Sequence, residues 1–373
     1  MQNRFTRSYQ LALTGPRLFT PFERLFPCHN CLVAIRLKDI ARDLGVSVVT
    51  VSKVLRNHED ISTGTRDRVL KRIKELNYQP NLAARALVTG RSHLVGLVVP
   101  DLVHPFFAEL AKGISSVLCG KGYGLVIASS EEDPDLEKRE IGQMLARRLD
   151  ALLIASTQWT VESFRKIEEQ QRPYVLVDRK FSGLPANFVG TDDLAIGRMA
   201  TEHLLQNGCK RIAYVGGEHV STAIERLEGY RGALASAGLP IVSEYTLCRP
   251  HYDDAGDVTG YKATKELLAL PVKPDGIFCN NDPIALGAME AILEAGLRIP
   301  EDICIIGAGN VRYAGALRVP LSSIDQDSAL LGSRSAELAL SLVQAKTPLR
   351  PKQIVIPPKL VVRQSSVRSG SLL

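Results

Sequence analysis

From residue 94 onward the sequence alternates between two kinds of segment, and that alternation restricts the fold more than any other feature. Short apolar runs bounded by Gly, Pro or polar residues occur at Leu94–Val99, Gly124–Ala128, Ala151–Ala155, Tyr174–Val177, Ile212–Val215, Gly276–Cys279 and Ile303–Ile306. Each has the length of a strand, and a run that is apolar at every position suits a strand buried on both faces. Between them lie helical patterns at Pro105–Cys119, Leu136–Arg148, Leu194–Asn207, Ala223–Ala237, Thr259–Leu270 and Pro283–Ala295. This order predicts parallel sheets with helices on both faces, an α/β class. The segment is long enough for two such sheets, hence two lobes with a cleft between them. Ligands of open α/β sheets bind outside the carboxyl ends of the strands, so a cleft site is expected.

The stretch from Arg36 to Ser92 follows different rules. Ile40, Ala41 and Leu44 sit at helical spacing before Gly45, a residue suited to ending a helix with positive φ. Ser47 can cap a second helix, Val48 to Leu55. Two short helices joined by a turn containing Gly form the helix-turn-helix pattern. Ser62 can cap a third helix with Val69, Leu70, Ile73 and Leu76 as its apolar stripe, stopped by Pro80; Asn81 can cap a short fourth, Leu82 to Val88. In such a motif the second helix enters the DNA major groove. Val48 and Val49 stand at its leading end, where their methyls can pack on a thymine methyl, and Lys53 one turn on can reach a guanine edge or a phosphate. The competing reading makes the valines core and Lys53 a solvated charge.

Charge supports the first reading. Residues 36–92 carry 12 Lys+Arg against 6 Asp+Glu, and residues 1–35 carry 4 against 1, while the rest of the chain carries 30 against 33. Positive charge gathered at the front of a near-neutral body is the electrostatic footprint of nucleic-acid binding. No apolar run is long enough for a membrane span. Seven scattered cysteines suggest reduced thiols in a cytoplasm rather than a disulfide framework. Cys28 and Cys31 have C-x-x-C spacing without a second pair nearby, so no metal is assigned. No G-x-S-x-G elbow, P-loop or His/Cys cluster is present, so neither a catalytic residue nor a cofactor is expected, and an enzyme on an α/β scaffold is disfavoured.

The runs VSVVTVSKVL and ISTGTRDRVLKRIKELNYQPNLAARAL resemble the headpiece of the LacI/GalR family of bacterial transcription regulators. The stretches HPFFAELAKGI, VGTDDLAIGRMATEHLLQNGCKRIAYVGG, ERLEGYRGALASAGL and DGIFCNNDPIALGAMEAILEAGLRIPEDICIIG resemble the same family's two-lobe, periplasmic-binding-protein-like core. The resemblance implies a domain order. Residues 1–35, which have no clear period, read as a poorly ordered extension, either an upstream start with Val33 as the true start or a basic arm that adds phosphate contacts; 36–80 are the helix-turn-helix headpiece and 81–92 the hinge helix and linker. Residues 93–365 form the ligand-binding and dimerisation core, with the chain crossing between lobes near 192, 323 and 355, and 366–373 are a tail. That tail is too short for a tetramerising helical bundle, so a homodimer is expected.

The resemblance also implies DNA contacts by Ser47, Val48, Val49, Thr50, Ser52 and Lys53, and by Asn81, Ala84, Arg85 and Leu87 of the hinge helix. Leu87 would be the apolar wedge that unstacks a base step in the minor groove. Ligand contacts are implied at Phe106, Asp193, Arg226, Asn281, Asp282 and Gln326. Asp193 and Asp282 have a competing reading as helix caps, and Phe106 as core. Four departures from the family pattern stand out: Arg36 and Arg56 in the headpiece, Gly309 where the family often has a ligand-binding Asp, and Ala255 where it often has an aromatic. Loss of those last two groups predicts weak monosaccharide binding and room for a bulkier sugar. The expected protein is a cytoplasmic, homodimeric repressor that binds double-stranded operator DNA and a sugar-like effector. The alternative is a solute-binding protein of a transport system, which would need an export signal and no headpiece.

Overall fold

The computed structural model describes residues 35–368 apart from 56, 80–85, 87–89, 159, 182, 218 and 250–255. The chain divides into two compact units after Asn81.

In the first unit, α1 (Leu37–Leu44), α2 (Val48–Leu55) and α3 (Thr63–Glu75) close around Ile40, Ala41, Val51, Val54 and Val69. Gly45 turns the chain between α1 and α2 at φ 65°, where a side chain would be strained. Ser47 Oγ accepts from Thr50 N–H at 3.0 Å, and Ser62 Oγ accepts from Thr65 N–H at 3.4 Å, so both expected caps form. Arg36 offers no acceptor at the start of α1; instead Asp39 Oδ2 accepts from the Arg36 N–H at 3.0 Å. Two expectations for α3 need correction. Leu70 is 46% exposed and leaves the stripe to Val69, Ile73 and Leu76, because its position is rotated one residue off that face. The helix also ends at Glu75, ahead of Pro80, with Asn77 at φ 45°.

The second unit contains two sheets with matched topology. The first has strand order β11-β5-β4-β3-β1-β2, built from β1 (Leu94–Val99), β2 (Gly124–Ser129), β3 (Ala151–Ile154), β4 (Tyr174–Val177), β5 (Phe188–Thr191) and β11 (Gln353–Ile356), all parallel. The second has order β12-β10-β9-β8-β6-β7, built from β6 (Ile212–Gly217), β7 (Thr246–Arg249), β8 (Gly276–Cys279), β9 (Cys304–Ala308), β10 (Ser322–Asp325) and β12 (Lys359–Val361), with β12 alone antiparallel. In both, the first strand lies between the second and third, which creates a topological switch point at its carboxyl end. Apolar clusters fill both faces of each sheet, as the continuously apolar strands require. The chain passes between lobes after Thr191, after Asp325 and after Ile356. Packed chain continues past the start of the expected tail: Ser366 is fully buried and Arg368 bonds the carbonyls of Asp275 and Pro300.

Three helix pairs cover these sheets: α4 (Pro105–Gly120) with α11 (Ser328–Gln344), α7 (Asp193–Gln206) with α8 (Ser221–Ser236), and α9 (Asp257–Ala269) with α10 (Asp282–Glu294). Each pair touches backbone to backbone through glycine. A Cβ on Gly197 of α7 would lie 1.9 Å from the Arg226 carbonyl oxygen, and one on Gly229 of α8 would lie 2.2 Å from that of Leu194. This contact holds Asp193 and Arg226 together across the pair. Gly197→Ala must push the helices apart, and overpacking of this kind costs about 1–3 kcal/mol. Denaturant unfolding of the variant should show a correspondingly lower midpoint; an unchanged midpoint would mean the helices are not in contact here.

Candidate functional site

In the headpiece, Val48 and Val49 are 44% and 60% exposed at the leading end of α2, while Val51 and Val54 carry its packing. Thr50 shares a hydrogen bond with Ser47, and Ser52 lies on the same helix. Lys53 does not project freely: its ammonium pairs with Asp60, whose carboxyl it holds below the usual range. Arg66 bonds the Asn57 side chain and the His58 carbonyl, which fixes the turn between α2 and α3. Asn81, Ala84, Arg85 and Leu87 lie outside the described residues, as do Arg56 and Ala255.

In the core, a cavity of about 570 Å³ opens at the carboxyl ends of the strands of both sheets. One lobe contributes Asp101, Val103, His104, Phe106 and Phe107 after β1, Glu131 and Glu132 after β2, and Asp178 and Arg179 after β4. The other contributes Val220, Thr222 and Arg226 after β6, Asn280 and Asn281 after β8, and Ala308 at the end of β9. Gln326 lies on the connection that leaves β10 for the other lobe. Phe106, Arg226, Asn281 and Gln326 therefore line the cleft as expected by position.

Asp193 and Asp282 do not line it, and each has a structural job behind the wall. Arg226, 4% exposed, gives Nε at 2.8 Å and Nη2 at 2.7 Å to Asp193 Oδ1, and Nη1 at 2.6 Å to the Asn280 carbonyl. Burial pushes the Asp193 carboxyl up, and the Arg226 charge opposes that shift. Asp282 is fully buried at the start of α10; its two oxygens accept from Ser323 Oγ at 2.7 Å and Val311 N–H at 2.8 Å. Burial holds its carboxyl up at about 6. Asn281, beside it, is the N-cap of α10 and accepts from Ile284 N–H at 2.8 Å. Phe106 serves both readings, since it packs in the core of its lobe and also faces the cavity.

The structure adds residues that the sequence reading did not single out. Arg179, 7% exposed, forms a two-pronged bridge to Glu132 at 2.8 and 3.1 Å and also bonds the Ser156 carbonyl. Asp178 sits beside it at φ 65°, 7% exposed, and burial raises its carboxyl against the pull of Arg226 and Arg179. Glu131 and Glu132 also take left-handed conformations, so three acidic residues around one cleft hold sparsely populated backbone geometry. His104 Nδ1 accepts from Phe106 N–H at 3.3 Å; desolvation beside the phenylalanine rings lowers the imidazole to about 4, so it is neutral. Buried Gln326 Nε2 makes no well-aligned hydrogen bond, and its amide lies close enough to Asp178 to oppose the rise of that carboxyl. Gly309 has φ +122°, and a Cβ there would lie 3.7 Å from Asp282 Oδ2. An Asp at this position would be strained and would face a second carboxylate, so the departure at Gly309 matches its local backbone. Among the described residues no His/Cys/Asp/Glu group is arranged to hold a metal.

A helix-turn-helix unit with an exposed reading edge, followed by two matched α/β lobes around a cleft, defines a class of DNA-binding regulators. Residues 36–81 match the model described as "Bacterial regulatory proteins, lacI family", and residues 201–366 match that of the periplasmic binding protein-like domain. The repressor PurR of Mannheimia succiniciproducens is 32% identical over 331 residues, covering 88% of this chain and 98% of the relative. The ribose operon repressor of Escherichia coli K12 is 32% identical over 337 residues, covering 88% and 99%. The structure of the Lac repressor dimer bound to operator and an anti-inducer superimposes with a TM-score of 0.80 at 26% identity, covering 90% and 99%. The chain belongs to the lacI family of bacterial transcriptional regulators.

The raised carboxyl of Asp282 sets a pH dependence. Between its ordinary value of 3.8 and about 6 the unfolded chain releases a proton that the folded chain keeps. Stability therefore falls as pH rises through this window and levels off above it, by about 2–3 kcal/mol in all. Asp282→Asn should remove this component, so the difference in unfolding free energy between the two proteins should slope from pH 4 to 6 and be flat above. A constant difference across that window would contradict the assignment.

Proposed function

We propose that the protein is a repressor that binds a two-fold operator as a homodimer, with its affinity set by an uncharged polyhydroxy effector held between the lobes. One observation carries the effector class: among the described residues both cleft guanidinia are already paired with carboxylates and carbonyls of the protein. The Arg226 nitrogens go to Asp193 and the Asn280 carbonyl, and Arg179 goes to Glu132 and the Ser156 carbonyl. Asp101, Glu131, Glu132, Asp178 and Asp257 leave the lining net acidic, which repels phosphorylated or carboxylated ligands. The Gln326 amide, poorly aligned beside Asp178, is a donor that a hydroxyl oxygen satisfies, and the Asp178 carboxyl next to it is an acceptor for a hydroxyl proton. Phe106, Arg226, Asn281 and Gln326 contact the effector in this reading. Asp193 acts through Arg226, and Asp282 braces Ser323 and the Val311 backbone behind the wall. The name of the ribose operon repressor agrees with a sugar-linked role.

On the DNA side, Ser47, Val48, Val49, Thr50, Ser52 and Lys53 meet the major groove, and the hinge residues Asn81, Ala84, Arg85 and Leu87 the minor groove. The reading assigns no catalytic role and places the protein in the cytoplasm with the chromosome. Among the described residues no helix is long and apolar enough to cross a membrane.

The Lys53–Asp60 pair makes the DNA reading testable. A phosphate or base edge must compete with Asp60 for the ammonium. Lys53→Ala should weaken specific binding about ten-fold and flatten the dependence of log affinity on log salt by roughly one unit, as the loss of one phosphate contact does. Asp60→Asn should strengthen binding. Fluorescence anisotropy on an operator selected from genomic DNA measures both; equal affinities in all three proteins would remove Lys53 from the interface.

A further inference from the structure

Two buried cysteines meet at the base of the lobe built on the second sheet, at the amino ends of its strands and opposite the cleft. Cys209 sits between α7 and β6, and Cys304 opens β9. They are 2% and 0% exposed, in the apolar cluster on one face of the sheet. Strand β8 runs between β6 and β9, and its first residue, Gly276, is in register with Cys304. A Cβ on Gly276 would meet Cys209 Sγ at 3.0 Å and Cys209 Cβ at 3.1 Å. The Cys209 side chain therefore fills the space that a side chain on Gly276 would take. Neighbouring strands lie about 4.8 Å apart, so this places the two sulfurs side by side, and they hydrogen-bond to each other.

The polar groups around the pair form one array. Cys209 Sγ lies 3.4 Å from the Asp275 carbonyl oxygen, and Cys304 Sγ lies 3.5 Å from that of Pro300. Arg368 donates to the same two carbonyls, from Nη2 at 2.9 Å and Nε at 3.4 Å, which sets its guanidinium beside both thiols. This environment makes the thiols unequal. The hydrogen bond with Cys209, helped by the Arg368 charge, holds the Cys304 thiol below its ordinary value, while the same bond and burial push the Cys209 thiol up. A thiol with thiolate character next to a second thiol is the arrangement of a redox pair, whereas cysteines buried singly in apolar surroundings are inert.

We propose that Cys209 and Cys304 form a reversible dithiol–disulfide site that is oxidised by hydrogen peroxide. The oxidant is scarcely larger than water and reaches the pair by displacing the half-buried Arg368 side chain. In the first step the Cys304 sulfur attacks a peroxide oxygen and the O–O bond breaks. The leaving hydroxide takes up the thiol proton as water, and Cys304 becomes a sulfenic acid. In the second step the Cys209 sulfur attacks the sulfenic sulfur. The S–S bond forms, the S–O bond breaks, and the hydroxyl leaves with the Cys209 proton as a second water. The new bond closes the chain between residues 209 and 304, a segment that carries Arg226 and Asn280 of the cleft wall. A crosslink across a long loop restricts the unfolded chain strongly, so oxidation stabilises this lobe, and a thiol reductant reverses the effect. Transient disulfides of this kind are the ones compatible with a reducing cytoplasm.

Mass spectrometry of the full-length protein tests this in a background carrying Cys28→Ser, Cys31→Ser, Cys119→Ser and Cys248→Ser, which leaves Cys209, Cys279 and Cys304. After the folded protein meets excess hydrogen peroxide, its mass should fall by two hydrogens. A non-reducing peptide map should join the Cys209 and Cys304 peptides. Cys279, in the cluster on the other face of the sheet, should stay a thiol. The thermal midpoint should rise by at least about 4 °C, and dithiothreitol should restore both the mass and the midpoint. Adding Cys209→Ser or Cys304→Ser should abolish the link and the rise; if neither variant folds, the map and midpoint of the background protein decide alone. Oxygen added to the sulfurs without a link, a link through Cys279, or thiols that survive peroxide in the folded protein overturns the proposal.

Discussion

The Arg226–Asp193 contact is the interaction on which the rest of the core depends. It is a buried ion pair that joins α8 to α7 and, through Nη1, to the end of β8 at Asn280. Taking both charges out of water is expensive, and the pair persists because its geometry is close and the guanidinium has a further acceptor. The close approach of α7 and α8 at Gly197 and Gly229 permits the geometry. With Arg226 fixed, the positive wall of one lobe faces Asp178 of the other, and that attraction is among the forces on the Asp178 carboxyl. The cleft is thus an electrostatic joint between lobes as well as a cavity. A ligand placed between Asp178, Gln326 and the Arg226 wall changes the balance across it. Such a ligand shifts the lobe arrangement only to the extent that it binds one arrangement better than another.

Much of this was legible in the sequence, for reasons tied to particular segments. Strands such as Leu94–Val99 and Ile212–Gly217 are buried on both faces, so their apolar runs are continuous and easily read. The strands that escaped notice are short, peripheral or polar. In β10 the polarity itself misleads: Ser322 and Ser323 are fully buried because their hydroxyls bond the Arg363 carbonyl and Asp282. No periodicity signals a strand whose polar groups are satisfied by partners forty residues away in the sequence. Helix α11 was missed for a related reason, as its Ser-rich sequence buries Ser328 and Ser335 against Glu109 and the Leu331 carbonyl.

The site shows the same division. Positional reasoning put Phe106, Arg226, Asn281 and Gln326 on the cleft, since each follows a strand or opens a helix. It could not separate lining carboxylates from supporting ones, because Asp193 and Asp282 occupy equivalent positions at helix starts and differ only in what lies behind them. Asp178 and Arg179 carried an available signal: two charged residues directly after the apolar run Tyr174–Val177. In the headpiece the valines divide as a helix demands, with Val51 and Val54 inward and Val48 and Val49 outward, so the reading and core interpretations of that run each hold for half of it.

The central claim is that the cleft and the DNA-binding headpiece report to each other. Linkage makes this reciprocal: if effector changes DNA affinity, bound DNA changes effector affinity by the same factor. The direct measurement is calorimetric titration of the effector saccharide into the protein alone and into the protein saturated with operator. The account predicts dissociation constants that differ by about five-fold or more, the usual lower range of allosteric coupling. Identical constants in the two titrations would contradict it.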